Sequence, residues 1–201
     1  MSRPQAASRS RRTLPLLVAA ACAFMAAVGT ALWNYGGFGG QAVFSEQAVV
    51  FDDTQLRLPP ELAGATGRIR VVHFWDPACT PCNRETAAHL AYLVTMYRRA
   101  DMDFYAVRRP GTRGMLAAPL RGRLKELPTL EGVEHIPASP AVAIWDRRGR
   151  LAYAGPYSIG MICNSANSFV EPILDRLVAG QTVRPRGLLA VGCYCPWQPT
   201  H

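Results

Sequence analysis

Val71-Val72-His73-Phe74-Trp75-Asp76-Pro77-Ala78-Cys79-Thr80-Pro81-Cys82 is the stretch on which the chain turns. A near-continuous apolar run from Ile69 to Trp75 predicts a strand buried on both faces. A short turn follows, then two cysteines two residues apart. Pro81 suits a first helical turn, where a missing N–H does no harm. Beyond it Ala87, Leu90, Ala91, Leu93, Val94 and Tyr97 keep helical spacing. A strand feeding a Cys-x-x-Cys at a helix start is the sequence form of a dithiol redox site.

The chemistry follows from that position. Thiolate, not thiol, attacks a disulfide, and a helix N-terminus can hold a cysteine pKa at about 3.5–7.5. Cys79 lies just before the helix and is expected to be exposed, as the attacking nucleophile. Cys82 lies within the first turn and is expected to be buried, as the resolving thiol. A static disulfide or half a zinc site is the competing reading, but a zinc ribbon would want a second Cys-x-x-Cys, and the sequence has none.

Outward from this centre, Asp103 to Val107, Ala141 to Trp145 and Arg150 to Ala154 read as strands, the last two joined by a turn at Asp146 to Gly149. Leu116 to Leu127 could hold a helix, and Ser165 to Ala179 reads as one, with Gly180 as its stop. Near the start, Ala48 to Asp52 and Gln55 to Leu58 read as a strand and its return. Strand–helix–strand units with a late hairpin give an α/β fold with a mixed sheet.

The first 47 residues are not globular. Leu14 to Trp33 is 20 residues without a charge, long enough to cross a bilayer as a helix. Arg3, Arg9, Arg11 and Arg12 precede it, which keeps the N-terminus cytoplasmic and sends the domain outward. A cleaved signal peptide is the rival, and it lacks a clean cleavage site here. The expected organisation is a basic flank at 1–13, an anchor at 14–33, a Gly-rich tether at 34–47, one domain at 48–180 and a cysteine-containing tail at 181–201. This places the protein in the cytoplasmic membrane, single-pass, with its domain in the periplasm. The net charge is +8, half of it from that flank. No basic stripe is interleaved with aromatics, so no nucleic-acid partner is expected.

An extracytoplasmic domain meets an oxidising compartment. Cys22 sits within the apolar run. Cys79, Cys82, Cys163, Cys193 and Cys195 remain, an odd number that no complete pairing can use. Three arrangements stay open: Cys163 staples the tail through Cys193 or Cys195; Cys193–Cys195 is a second redox pair exchanging with Cys79–Cys82; or Cys163, Cys193 and Cys195 bind a soft metal.

Phe74-Trp75 followed by Cys79-Thr80-Pro81-Cys82 resembles the active-site segment of the thioredoxin-like superfamily. Phe51 to Leu58 resembles the leading hairpin of its membrane-tethered extracytoplasmic thiol–disulfide oxidoreductases. The late segments around Cys163 and Cys193-Tyr194-Cys195 look like an uncharacterised bacterial branch, known only as a domain of unknown function. The resemblance covers about Val49 to Ala179. It implies a three-layer α/β/α sandwich with a mixed central sheet. It also implies a cis-proline facing the dithiol, for which Ser139-Pro140 stands in position, with Pro137 the competing candidate and an ordinary trans proline at a strand start the plain alternative. The groove would be edged by Trp75, Thr80, Pro81, Ser139 and Gly155. The superfamily often places a buried acid six residues before the first cysteine; this chain has His73, either a proton acceptor for Cys82 or a ring satisfied by a nearby carbonyl. The activity implied is thiol–disulfide exchange on extracytoplasmic proteins, reduction favoured, with a membrane electron donor as partner and no cofactor or resident metal. The rival is a Cu or Zn binding or metallochaperone module, in which Cys79, Cys82 and the tail cysteines, or Cys163, Cys193 and Cys195, are the ligands.

Overall fold

A strand with no exposed residue must sit inside a sheet, and Ile69–Trp75 is buried at every position. The computed structural model describes residues 10–35, 49–50, 55–64, 67–160, 162–184, 189–190 and 192–197. In chain order the elements are α1 (Ser10–Tyr35), β1 (Val49–Val50), α2 (Pro60–Ala63), β2 (Ile69–Trp75), α3 (Thr80–Met96), β3 (Met102–Arg108) and β4 (Lys125–Leu127). They continue with β5 (Ala138–Ser139), β6 (Ala141–Trp145), β7 (Leu151–Gly155), α4 (Val170–Val178), β8 (Leu189–Ala190) and β9 (Cys195–Pro196).

The chain divides into two units, Met1–Gln41 and Ala42–His201. The first contains α1, whose side chains from 15 to 31 are exposed. Among the described residues no helix is long and apolar enough to cross a membrane. The anchor read over 14–33 is taken up below as a proposal. The tether lies outside the described residues from position 36.

The second unit is an α/β domain built on a mixed sheet. Its five-stranded sheet has the order β4-β3-β2-β6-β7. β2 is parallel to β3 and antiparallel to β6, and β6 and β7 form the expected hairpin. On one face Val71, Phe104 and Ile144 meet Leu90 and Leu93 of α3 and Leu174 and Leu177 of α4. Polar contacts tie the two helices: His89 Nε2 lies 3.0 Å from Glu171 Oε1, and the Tyr97 hydroxyl donates to Asp175 Oδ1 at 2.6 Å.

The opposite face departs from a full helical layer. Val72, Phe74, Val107 and Trp145 are covered by Leu56 and Leu58, by Val133 of a 3₁₀ turn, and by Trp197 of the tail. α2 is only four residues long. The helix expected within 116–127 is replaced by a 3₁₀ turn at Ala118–Leu120 and by β4. Pro119 removes a donor there and Gly122 takes a left-handed φ of 70°, so a continuous helix does not form. β1 pairs with β8 rather than with a returning strand at 55–58; residues 51–54 lie outside those described. α4 begins at Val170, later than Ser165, because Ser168 Oγ accepts from the N–H groups of Val170 and Glu171 at 3.0 and 3.4 Å.

The tail departs from an irregular end. β9 pairs antiparallel with β5, with Ser139 opposite Cys195 and Ala138 opposite Pro196. The Trp197 N–H donates to Pro137 O at 3.0 Å. Its indole is 2% exposed and meets Phe74 edge-on, ring centroids 6.2 Å apart.

Candidate functional site

β2 ends at Trp75 and delivers Asp76 into the turn before α3. The Asp76 carbonyl accepts from the Cys79 N–H at 2.9 Å and from Asn83 Nδ2 at 2.6 Å, while its carboxylate accepts from the Ala78 N–H at 2.9 Å. Arg109, just beyond β3, donates from Nη1 to Asp76 Oδ2 at 2.6 Å. The Asp76 side chain is 2% exposed and that of Arg109 24%. Sequence reading passed over this pair, because nothing local links position 76 to position 109. It fixes the loop that carries Cys79. Arg109→Ala leaves a buried carboxylate unpaired and is expected to cost about 3 kcal/mol in urea unfolding; a loss below about 1 kcal/mol would mean that water replaces the guanidinium.

Cys79 is the N-cap residue of α3, and Cys82 lies in its first turn. The Ser139–Pro140 peptide is cis. Cys79 Sγ lies 3.4 Å from the Ser139 carbonyl oxygen, so the helix terminus and the proline loop face each other. Thr80 is exposed and Pro81 half-buried at the helix start; Gly155 is buried at the end of β7, opposite Val142. Trp75 and Thr80 line a cleft of about 510 Å³ with Met115 and Leu116.

The disulfides differ from the expected arrangement. Cys79 is bonded to Cys195, and Cys82 to Cys193. Cys163 is a free thiol, so it does not staple the tail. Its sulfur lies 3.3 Å from Ser158 Oγ and 3.6 Å from Thr86 Oγ1. Cys79 is 1% exposed rather than open to solvent, because the tail lies over it. The sulfurs of Cys79, Cys82 and Cys195 all lie within 4.8 Å of one another. With Cys193 bonded to Cys82, four sulfurs converge on one point, and Cys163 is not among them. No local signal identified these pairings, since an odd count of five leaves connectivity open.

His73 is buried beneath the dithiol segment. Its Nδ1 is 2.9 Å from the Tyr157 hydroxyl, and it hydrogen-bonds the backbone of Ala141. Burial, partly offset by the Ala141 bond, lowers its pKa from 6.5 to about 3. Both features keep the ring neutral and oppose its taking a proton from Cys82 at neutral pH; the geometry fits a satisfied ring that positions Tyr157. The unfolded chain protonates this histidine below its ordinary pKa, and the folded chain only near 3. Stability is therefore full above pH 6.5 and falls as pH drops toward 3. Between pH 6.5 and 5 the loss is expected to be about 2 kcal/mol. Urea titrations at both pH values would show it, and His73→Gln would remove it; a wild-type profile no steeper than the variant's would overturn the neutral assignment.

His89 is bound to Glu171, as above, and belongs to the helix pair. Burial pushes the Glu171 pKa up, but hydrogen bonds from Ser168, His89 and Ser165 outweigh it and hold the group below its ordinary value. His135 sits in the exposed 3₁₀ turn, 3.5 Å from Glu134.

Comparison with known proteins adds the following. No curated protein matches the chain. Among solved structures, an uncharacterised conserved protein from Geobacillus kaustophilus is 18% identical with a TM-score of 0.48, covering 80% of this chain and 95% of its own. A hypothetical protein from Sinorhizobium meliloti 1021 is 14% identical with a TM-score of 0.47, over 76% and 95%. A secreted Mycobacterium tuberculosis disulfide oxidoreductase is 19% identical with a TM-score of 0.34, over 58% and 84%. The family described as a domain of unknown function (DUF6436) matches residues 47–197, three quarters of the sequence and every cysteine of the site, and the chain belongs to it.

Proposed function

We propose that this protein is a membrane-anchored thiol–disulfide oxidoreductase acting on extracytoplasmic proteins through Cys79 and Cys82. The observation that carries this reading is Cys79 at the N-terminus of α3, its sulfur 3.4 Å from the carbonyl before the cis Pro140. Negative charge on that sulfur is stabilised by the helix terminus, and Cys82 is one turn away to resolve a mixed disulfide. The uncharged segment 14–33 behind four arginines supports a cytoplasmic N-terminus and a periplasmic domain. Reduction, fed by a membrane electron donor, is the favoured direction. The test is insulin reduction by the full chain in detergent, with dithiothreitol as donor. Clear acceleration over dithiothreitol alone is expected, and none would overturn the proposal.

A second reading rests on the clustered sulfurs. Once reduced, Cys79, Cys82 and Cys195, with Cys193 beside Cys82, offer thiolates that suit Zn or Cu(I). This set replaces the trio containing Cys163. Metal analysis of the reduced chain after exposure to zinc decides it: one ion per chain, lost in Cys195→Ser, supports a binder.

A further inference from the structure

Residues 192–197 lie over Cys79, the sulfur that an incoming disulfide would have to reach. In β9 Cys195 lies opposite Ser139, the residue directly before the cis Pro140, and the Trp197 N–H closes the pairing at Pro137. The strand is held from both sides. Gly192 bridges Gly160, and a Cβ on Gly192 would stand 3.0 Å from both the Gly160 carbonyl oxygen and the Tyr194 ring, so only glycine fits closely there. Tyr194 and Trp197 are 3% and 2% exposed. Beneath this strand Cys79 and Cys82 are each 1% exposed, while Cys193 and Cys195, to which they are bonded, are only half-buried. A protein arriving from outside meets the tail sulfurs before it meets Cys79.

We propose that residues 192–197 are a resident substrate strand, and that Cys193 and Cys195 form a second dithiol through which the Cys79–Cys82 pair exchanges electrons with external proteins. This rests on the oxidoreductase reading above and names its immediate partner. In the reducing direction the Cys79 thiolate attacks the Cys195 sulfur of a Cys193–Cys195 disulfide. The Cys79–Cys195 bond forms, the Cys193–Cys195 bond breaks, and Cys193 leaves as thiolate and takes the proton that Cys79 gave up. The Cys82 thiolate then attacks Cys79; the Cys79–Cys82 bond forms, and Cys195 leaves and takes the proton from Cys82. The inner pair is oxidised by two electrons and the tail reduced by two. The tail dithiol passes them to an external protein disulfide by the same two displacements. The Cys79–Cys195 bond of the structure is the bond of this intermediate; with Cys82–Cys193 closed beside it, the structure is two electrons more oxidised than the intermediate and is a disulfide isomer of the state in which Cys79–Cys82 and Cys193–Cys195 are both closed.

Two measurements on the full chain in detergent test this. Insulin turnover by Cys193→Ser/Cys195→Ser is expected to fall at least about tenfold below wild type; equal or faster turnover would overturn the proposal, because the tail would then be a bystander or a cover. Cys82→Ser, mixed with insulin and mapped without reduction, is expected to accumulate the internal Cys79–Cys195 bond. A Cys79–insulin adduct with the tail thiols free would overturn the proposal even if the double variant fails to fold. Wild type that turns over no faster than dithiothreitol alone would instead overturn the oxidoreductase reading, and this one with it.

Discussion

Cys79→Ser is expected to return insulin turnover to the rate of dithiothreitol alone. The reason is chemical rather than structural. A serine hydroxyl is not ionised at neutral pH, and neither the terminus of α3 nor the Ser139 carbonyl can make it a nucleophile toward sulfur. The residue is small and 1% exposed, so replacing sulfur by oxygen removes one bridge but leaves the packing nearly unchanged. Loss of turnover without loss of the circular dichroism of the fold would therefore report on chemistry. Retained turnover would shift the nucleophile to Cys82 or to the tail.

Trp197→Ala is the second large effect. Truncating a fully buried tryptophan costs about 3–5 kcal/mol. Here the indole plugs the face of the sheet formed by Val72, Phe74 and Val107. In the reduced protein, where no disulfide holds the tail, it is attached by the two-residue pairing of β5 with β9, the Trp197 N–H bond to Pro137, the Gly160–Gly192 bridge, the buried Tyr194 and this side chain. That cost exceeds what two strand pairs return, so the tail is expected to come away while the sheet stays folded. Hydrogen exchange should lose protection at 192–197 and keep it in β2, and iodoacetamide should label reduced Cys79 faster than in wild type. Equal labelling would mean that the tail does not control access to Cys79.

The limits of the sequence lay where contacts were distant. The burial of β2 was legible because five of its seven successive positions are apolar, a density that admits few other solutions, and its bounds, Ile69 and Trp75, are those of the strand. The same holds for β6 from Ala141 to Trp145. The resemblance implied a cis-proline, and its position singled out Pro140, whose peptide is cis. The second cover of the sheet was not legible, since it comes from scattered residues such as Leu56, Val133 and Trp197 that share no period. Nor was the burial of Cys79, which depends on a two-residue strand 116 positions away. Two residues cannot carry a periodic signal, and a Cys-x-Cys near a chain end is compatible with many partners. Asp76 and Arg109 were missed for the same reason: their pairing is a property of the parallel contact between β2 and β3.

The spans of 116 and 111 residues between the bridged cysteines also set an order in time. At about 5–20 residues per second, the ribosome makes Cys193 and Cys195 roughly 5–20 s after Cys79 and Cys82. During that interval the helix-start pair has no tail cysteine to meet. Until residues 192–197 are made, β5 lacks the strand that pairs with it in the structure. Docking of the final residues is the event that converts this stage into the closed form.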